Sequence, residues 1–192
     1  TFICIFVSNL KLRIRSLLNK GPMDTELKIN GSNQVYGVVD TEVTEIVIPD
    51  GVRVIKPNSF KGCKNLKTVK IPDCVDTIGS NAFEGCSSLK EIVLPQNLGE
   101  IGANVFTGCT SLRKVYIKDY VDKIALTAFI DCKRIEEFVV SEDNYKFCSV
   151  DGSIYNRNKN ILYRVPAKTK QKNFVINKKV KKVEATAFLR CT

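Results

Sequence analysis

The chain has 192 residues, 44% of them hydrophobic and 26% charged, with a formal net charge of +10 and neither Trp nor His. That hydrophobic content excludes bulk disorder, and the missing imidazole excludes Ser-His-Asp and Cys-His catalysis and His-bearing zinc sites. The positive charge belongs to the two ends: residues 1–20 hold Lys11, Arg13, Arg15 and Lys20 with no acid, and residues 157–192 hold eleven Lys/Arg against Glu184 alone.

Residues 1–18 (TFICIFVSNLKLRIRSLL) open with an apolar run, too short to cross a bilayer as a helix. The charges follow the run, and no small-residue cleavage site is evident, so it departs from the signal-peptide pattern. Lys11 to Arg15 alternates as a strand does, while Ile14, Leu17 and Leu18 are spaced as on a helix; both readings stay open. The lack of an initiating Met fits a fragment or a processed product. Asn19-Lys20-Gly21-Pro22 is a breaker, which sets 1–22 apart. Residues 23–42 hold two short apolar pieces, Leu27 to Ile29 and Val35 to Val39, around Asn30-Gly31-Ser32-Asn33. They are expected to form a hairpin or a degenerate capping coil.

From residue 43 the sequence repeats every 23 residues: Leu66, Leu89 and Leu112; Phe60, Phe83, Phe106 and Phe129; Cys63, Cys86, Cys109 and Cys132; Pro49, Pro72 and Pro95. A period in the twenties predicts a solenoid of stacked supersecondary units. Each coil should supply a short strand such as Thr68–Ile71, with Val69 and Ile71 inside and Thr68 and Lys70 outside. Proline ends the strand in three coils, and Lys118 stands there in the fourth. A second apolar pair follows (Val75/Ile78, Leu98/Ile101), then a turn at Gly79 or Gly102. An Ala-Phe or Val-Phe step, expected to be one turn of 3₁₀- or α-helix, completes the coil. The phenylalanines should stack as a spine.

The repeated cysteines share one interior slot. Equivalent residues of adjacent coils lie about 5 Å apart, within disulfide reach. Burial nonetheless favours a column of free thiols, and with no CxxC in the chain zinc is the weaker reading. Residues 141–172 break the frame. Ser153-Ile154-Tyr155 and Ile161-Leu162-Tyr163 flank a polar turn at 156–160, a hairpin signal, and that loop is expected to project from the solenoid. The frame returns at Phe174, Ile176, Val180, Val183, Phe188 and Cys191. No further coil covers this last one, so a longer native array is expected.

The frame LxxVxIPxxVxxIxxxAFxxCxxL, and the wording TIGSNAFEGCSSLKEIVLP in particular, resembles the BspA-type class of leucine-rich repeats over residues 43–192. The stretch EDNYKFCSVDGSIYNRNKNILYRVPAKT resembles the NxxYxSxDGxLYNxxxTxLxxYP module found between such repeats, with Cys148 before Ser149 and Asn160-Ile161 in place of the usual Thr-Leu step. The fold expected is a mainly β leucine-rich repeat solenoid of the α/β type, with five to six coils of short strands and single helical turns. The resemblance implies a non-catalytic protein–protein interaction module with a surface or secreted location, in microbes often an adhesin that engages host or cell-surface proteins. A cytoplasmic scaffold or sensor is the alternative, and a polyanion-binding domain the more distant one.

Two outward columns follow from the strand alternation. Glu45, Thr68, Glu91, Lys114, Glu137 and Asn173 are mixed and polar. Val47, Lys70, Val93, Tyr116, Val139 and Val175 are five-sixths apolar on an exposed face, the mark of a partner surface; β-propensity alone is the competing explanation. The basic cluster Lys168, Lys170, Lys172, Lys178, Lys179, Lys181 and Lys182 suits an anionic partner, or serves to keep an edge strand unpaired. Aromatic residues for stacking bases are sparse there, so no nucleic acid is expected. No nucleophile elbow or phosphate loop is present. Val150-Asp151-Gly152 lacks the alternating acids of a calcium loop, and no metal, cofactor or catalytic residue is expected.

Overall fold

The computed structural model describes residues 27–169 and 173–191; the segment 1–22, and Lys170 and Lys172 of the basic cluster, lie outside the described residues. The described chain opens with an antiparallel pair, β1 (Leu27–Ile29) and β2 (Gln34–Val38). Asn30 fixes their turn, its Oδ1 accepting from the N–H groups of Ser32 and Gln34, both at 3.0 Å.

Every coil then contributes two strands. The first row holds β3 (Glu45–Val47), β5 (Thr68–Lys70), β7 (Glu91–Val93), β9 (Lys114–Ile117) and β11 (Glu137–Val140). The second row holds β2 and the two-residue strands β4 (Val54–Ile55), β6 (Thr77–Ile78), β8 (Glu100–Ile101) and β10 (Lys123–Ile124). Pairing within a row is parallel and one repeat apart, as in Glu91↔Lys114↔Glu137 and Val54↔Thr77. A 23-residue step therefore becomes one strand spacing, and each apolar slot stacks on its copy. The first-row ladder is broken between β5 and β7. Val69 and Ile71, expected inside, are only half-buried there, beside the break, while Ile92, Leu94, Val115 and Ile117 are buried.

The expected single helical turns are absent: the described residues contain strands and turns but no helix. The cause lies on either side of Phe60, Phe83 and Phe106. Asn58, Asn81 and Asn104, two residues before each, have φ of 62°, 60° and 56°. Gly62, Gly85 and Gly108, two residues after each, have φ of 77°, 74° and 73°. Left-handed residues at that spacing stop any helix from propagating. They also turn alternate amides outward along the stack. Asn58, Phe60 and Gly62 donate to Ser80 O, Ala82 O and Glu84 O of the next coil at 3.1, 2.8 and 2.7 Å, while Lys61 and Cys63 close turns within their own coil. A helix would have spent all these amides inside one coil; this turn splits them between closure and stacking.

The phenylalanines form the spine. Phe60, Phe83 and Phe106 are wholly buried. Successive rings from Phe60 to Phe129 are stacked with centroids 5.1, 5.6 and 5.6 Å apart. The column ends where Phe129 meets Phe138 edge-on at 5.2 Å. Phe188 does not join it and stays 42% exposed.

Two glycines in one repeat slot should behave differently. A Cβ on Gly79 would lie 2.4 Å from Pro57 N and 2.7 Å from Lys56 C, whereas on Gly102 its nearest neighbour is Val105 Cγ2 at 3.7 Å. Gly79→Ala should cost about 1–3 kcal/mol by forcing backbone apart, and Gly102→Ala should be close to neutral. Urea denaturation of the two variants checks the contrast; equal losses would contradict it.

Residues 141–164 form a meander of β12 (Phe147–Val150), β13 (Ser153–Asn156) and β14 (Ile161–Arg164). β14 then pairs in parallel with β15 (Lys182–Val183), which resumes the second row. The 156–160 turn of the β13–β14 hairpin does not simply project, since Arg157 N–H donates to Lys146 O at 2.8 Å and Lys181 N–H to Asn160 O at 2.7 Å. The preceding β12–β13 turn folds onto the free edge of β11, where Phe138 N–H donates to Gly152 O at 2.8 Å and Val140 N–H to Ser149 Oγ at 3.3 Å. A Cβ at Gly152 would sit 3.0 Å from Glu137 Cβ, and its φ is +75°, so only glycine fits this approach. The physical cause is an edge strand whose donors need partners. Val165 takes over the spine position, donating to Ala187 O as Phe106 donates to Ala128 O. Arg164, buried, spans the junction from Phe129 O to Thr186 O at 3.0 Å each.

Candidate protein-binding surface

The outward column is partly assembled by the fold. Val47 pairs with Lys70, and Val93 with Tyr116 and Tyr116 with Val139, each as direct neighbours in parallel register. Val47 and Val93 are 43% and 50% exposed, Lys70 is exposed, and Tyr116 and Val139 are half-buried. Val175 stands apart: it lies outside the strands and is 79% exposed. The meander occupies the edge beyond β11, so the column ends at Val139 and cannot reach Val175.

Ion pairs across neighbouring coils flank the column: Lys70–Glu45 at 4.0 Å, Lys114–Glu137 at 2.6 Å and Arg113–Glu136 at 3.3 Å. These groups are exposed or half-buried at the surface, and such pairs contribute little to stability. They neutralise the polar row next to the apolar one, leaving a surface whose character is set by Val93, Tyr116 and Val139.

At Val139 the column runs into a groove of about 720 Å³ lined by Val139, Val140, Ser141, Glu142, Cys148, Ser149, Arg157 and Lys159. The second apolar pocket, beside Arg164 and Tyr163, is only about 20 Å³. Sequence reading missed the groove because it placed the 156–160 turn away from the solenoid. The available signal was Asp151-Gly152, whose glycine marks close backbone approach.

Of the basic cluster, Lys168, Lys178, Lys179, Lys181 and Lys182 are exposed. Lys182 is held by Glu184 at 2.7 Å, which keeps its ammonium charged to higher pH. Among the described residues no group of three His, Cys, Asp or Glu side chains is placed to hold a metal ion. No helix among them is long and apolar enough to cross a membrane.

Cys63, Cys86, Cys109 and Cys132 are free and buried. The thiols of Cys86, Cys109 and Cys132 donate to the carbonyls of Phe60, Phe83 and Phe106 at 3.2, 3.2 and 3.0 Å. Burial pushes Cys86 and Cys132 up from 9.0 to about 12 and also raises Cys109 well above its ordinary value. A folded-state pKa above the unfolded one means stability is intact below about pH 9 and is lost as pH climbs from 9 towards 12. Alkaline unfolding should therefore set in above about pH 9. In the native protein at pH 8 these thiols should resist iodoacetamide; rapid alkylation without denaturant, read by mass spectrometry, would contradict their burial.

A one-dimensional stack of two-strand coils around a column of apolar side chains defines a leucine-rich repeat solenoid. The chain belongs to the BspA type leucine rich repeat family, whose model matches residues 36–161 in six copies. A comparison with curated proteins finds no match. Among solved structures, a leucine-rich repeat protein from Eubacterium ventriosum aligns with TM-score 0.64 at 22% identity, covering 84% of this chain and 51% of that one. The pneumococcal vaccine antigen PcpA aligns with TM-score 0.61 at 21% identity, covering 85% of this chain and 47% of that one. These likenesses show the fold, and the chain spans about half the length of each.

Proposed function

We propose that the array is a non-catalytic protein-binding module of a cell-surface or secreted, adhesin-like protein, and that Val47, Lys70, Val93, Tyr116 and Val139 form its contact face. The observation that carries this reading is the direct adjacency of Val93, Tyr116 and Val139 on a strand face that stays open to solvent. Aromatic and aliphatic side chains lined up in this way supply contact area with little entropy to lose. Membership of a repeat family built for display of extended surfaces supports it, as does a fold shared with a protein described as a vaccine antigen. Capture of partners by the immobilised chain tests it. Tyr116→Ser and Val93→Ser should each weaken the captured complex; unchanged capture by both variants refutes the contact face. Labelling of intact source cells with an impermeant biotin reagent tests the location. The unbridged thiols favour a second reading, an intracellular scaffold, which absence of labelling would select.

A further inference from the structure

The groove beside β11 is more than the end of the strand face. We propose that it binds an extended, acidic segment of a protein partner, whose carboxylates pair with Arg157 and Lys159 while an apolar side chain lies on Val139. This rests on the protein-binding reading above and adds the chemistry of the ligand.

Both cations stand on a rigid turn. Asn156 Oδ1 accepts from Asn160 N–H and Ile161 N–H at 2.9 Å each, and Lys159 N–H donates to Asn156 O at 2.8 Å. Arg157 is anchored twice, its N–H donating to Lys146 O at 2.8 Å and its Nη2 to Glu142 O at 2.7 Å. That uses one guanidinium nitrogen and leaves other donors for a carboxylate. Several cations of the array meet acids across coils, as Arg53 meets Asp76 and Lys61 meets Glu84, both at 3.0 Å. No carboxylate pairs with Arg157 or Lys159 among the described residues. Their field reaches the groove: both lower the pKa of the Cys148 thiol against the larger upward push of burial.

The remaining lining narrows the ligand. Val139 presents aliphatic surface, and Ser141 and Ser149 bring hydroxyls. Glu142 sets one carboxylate against the two cations. A dense polyanion such as a sulfated glycan would leave Val139 uncovered. A peptide that alternates acidic and apolar side chains meets both, and its continuation runs onto the strand face through Val139.

The test uses the full chain and a fluorescein-labelled peptide of alternating glutamate and valine, read by fluorescence anisotropy. Arg157→Glu/Lys159→Glu should weaken binding about tenfold or more, and Arg157→Gln/Lys159→Gln should weaken it less. Lys178→Glu/Lys179→Glu should leave it unchanged. The same peptide with glutamine for glutamate should bind poorly, as should a heparin hexasaccharide. On the unmutated chain, the peptide should slow iodoacetamide alkylation of Cys148 but not of Cys74, resolved by site in mass spectrometry. No binding, equal loss on changing Lys178 and Lys179, hexasaccharide binding with the same dependence on Arg157 and Lys159, or no protection of Cys148 would each overturn the inference. Partner capture that needs Tyr116, together with absent peptide binding, overturns the groove and leaves the strand-face reading standing.

Discussion

Phe83→Ala should lower the stability of the array by about 3–5 kcal/mol. The ring is wholly buried, stacked 5.1 Å above Phe60 and 5.6 Å below Phe106. Its removal leaves a gap that the backbone cannot close. Phe83 N–H is held by Val105 O at 2.9 Å, and Phe60 N–H holds Ala82 O at 2.8 Å, so the turn is pinned from both sides. The position is central in a structure whose coils contact only their neighbours, and weakening one interface weakens cooperativity along the whole axis. Urea denaturation followed by circular dichroism measures the loss. Phe188→Ala, at a partly exposed ring, should cost far less. A loss at Phe83 below about 1 kcal/mol would mean that the spine does not carry the stack.

Asn144→Ala should be the second most damaging change, at about 2–4 kcal/mol. Asn144 is wholly buried and all its polar capacity is spent. Its Nδ2 donates to Lys118 O at 2.8 Å and Val121 O at 2.9 Å, and its Oδ1 accepts from Lys146 N–H at 2.9 Å and Phe147 N–H at 2.7 Å. It thereby ties the start of the meander to the fourth coil. Truncation orphans two carbonyls and two amides in a dry site. Asn144→Asp should be worse at neutral pH, because a carboxylate faces two carbonyls with no proton to offer. Its folded-state pKa must then lie above the unfolded value of about 3.9. The penalty is therefore smallest below about pH 4, where the carboxyl O–H still reaches one of the two carbonyls, and it grows as pH rises towards the folded pKa. Stability of this variant that did not fall between pH 4 and 7 would contradict the hydrogen-bond assignment.

Much of the fold was legible because a solenoid turns sequence period into spatial period. Leu66, Leu89 and Leu112 recur at one interval, so their coils stack, and the spine of phenylalanines follows from the same arithmetic. The outward column was legible as far as Val139 for the same reason. Other features escaped. The turns around the phenylalanines are not helical, because asparagine and glycine in left-handed conformation redirect alternate amides to the next coil. Asn144 occupies the slot of Val52, Val75, Leu98 and Val121, and an interior asparagine has no meaning until the carbonyls around it are placed. Val175 sits at the right interval in the frame but outside the strands, since the meander intervenes.

The sequence by itself determined the period, the interior slots and the family, because these depend on local alternation and on identical units packing identically. Only the tertiary structure decided where the 141–164 segment goes. Its β12–β13 turn lies on the edge of β11 because unpaired strand amides there need acceptors, and its β14 carries the second row on to β15. The groove between Val139 and Arg157 exists only through that folding back: it joins residues from two elements that no repeat relates, and contacts between unlike segments leave no periodic trace in a chain.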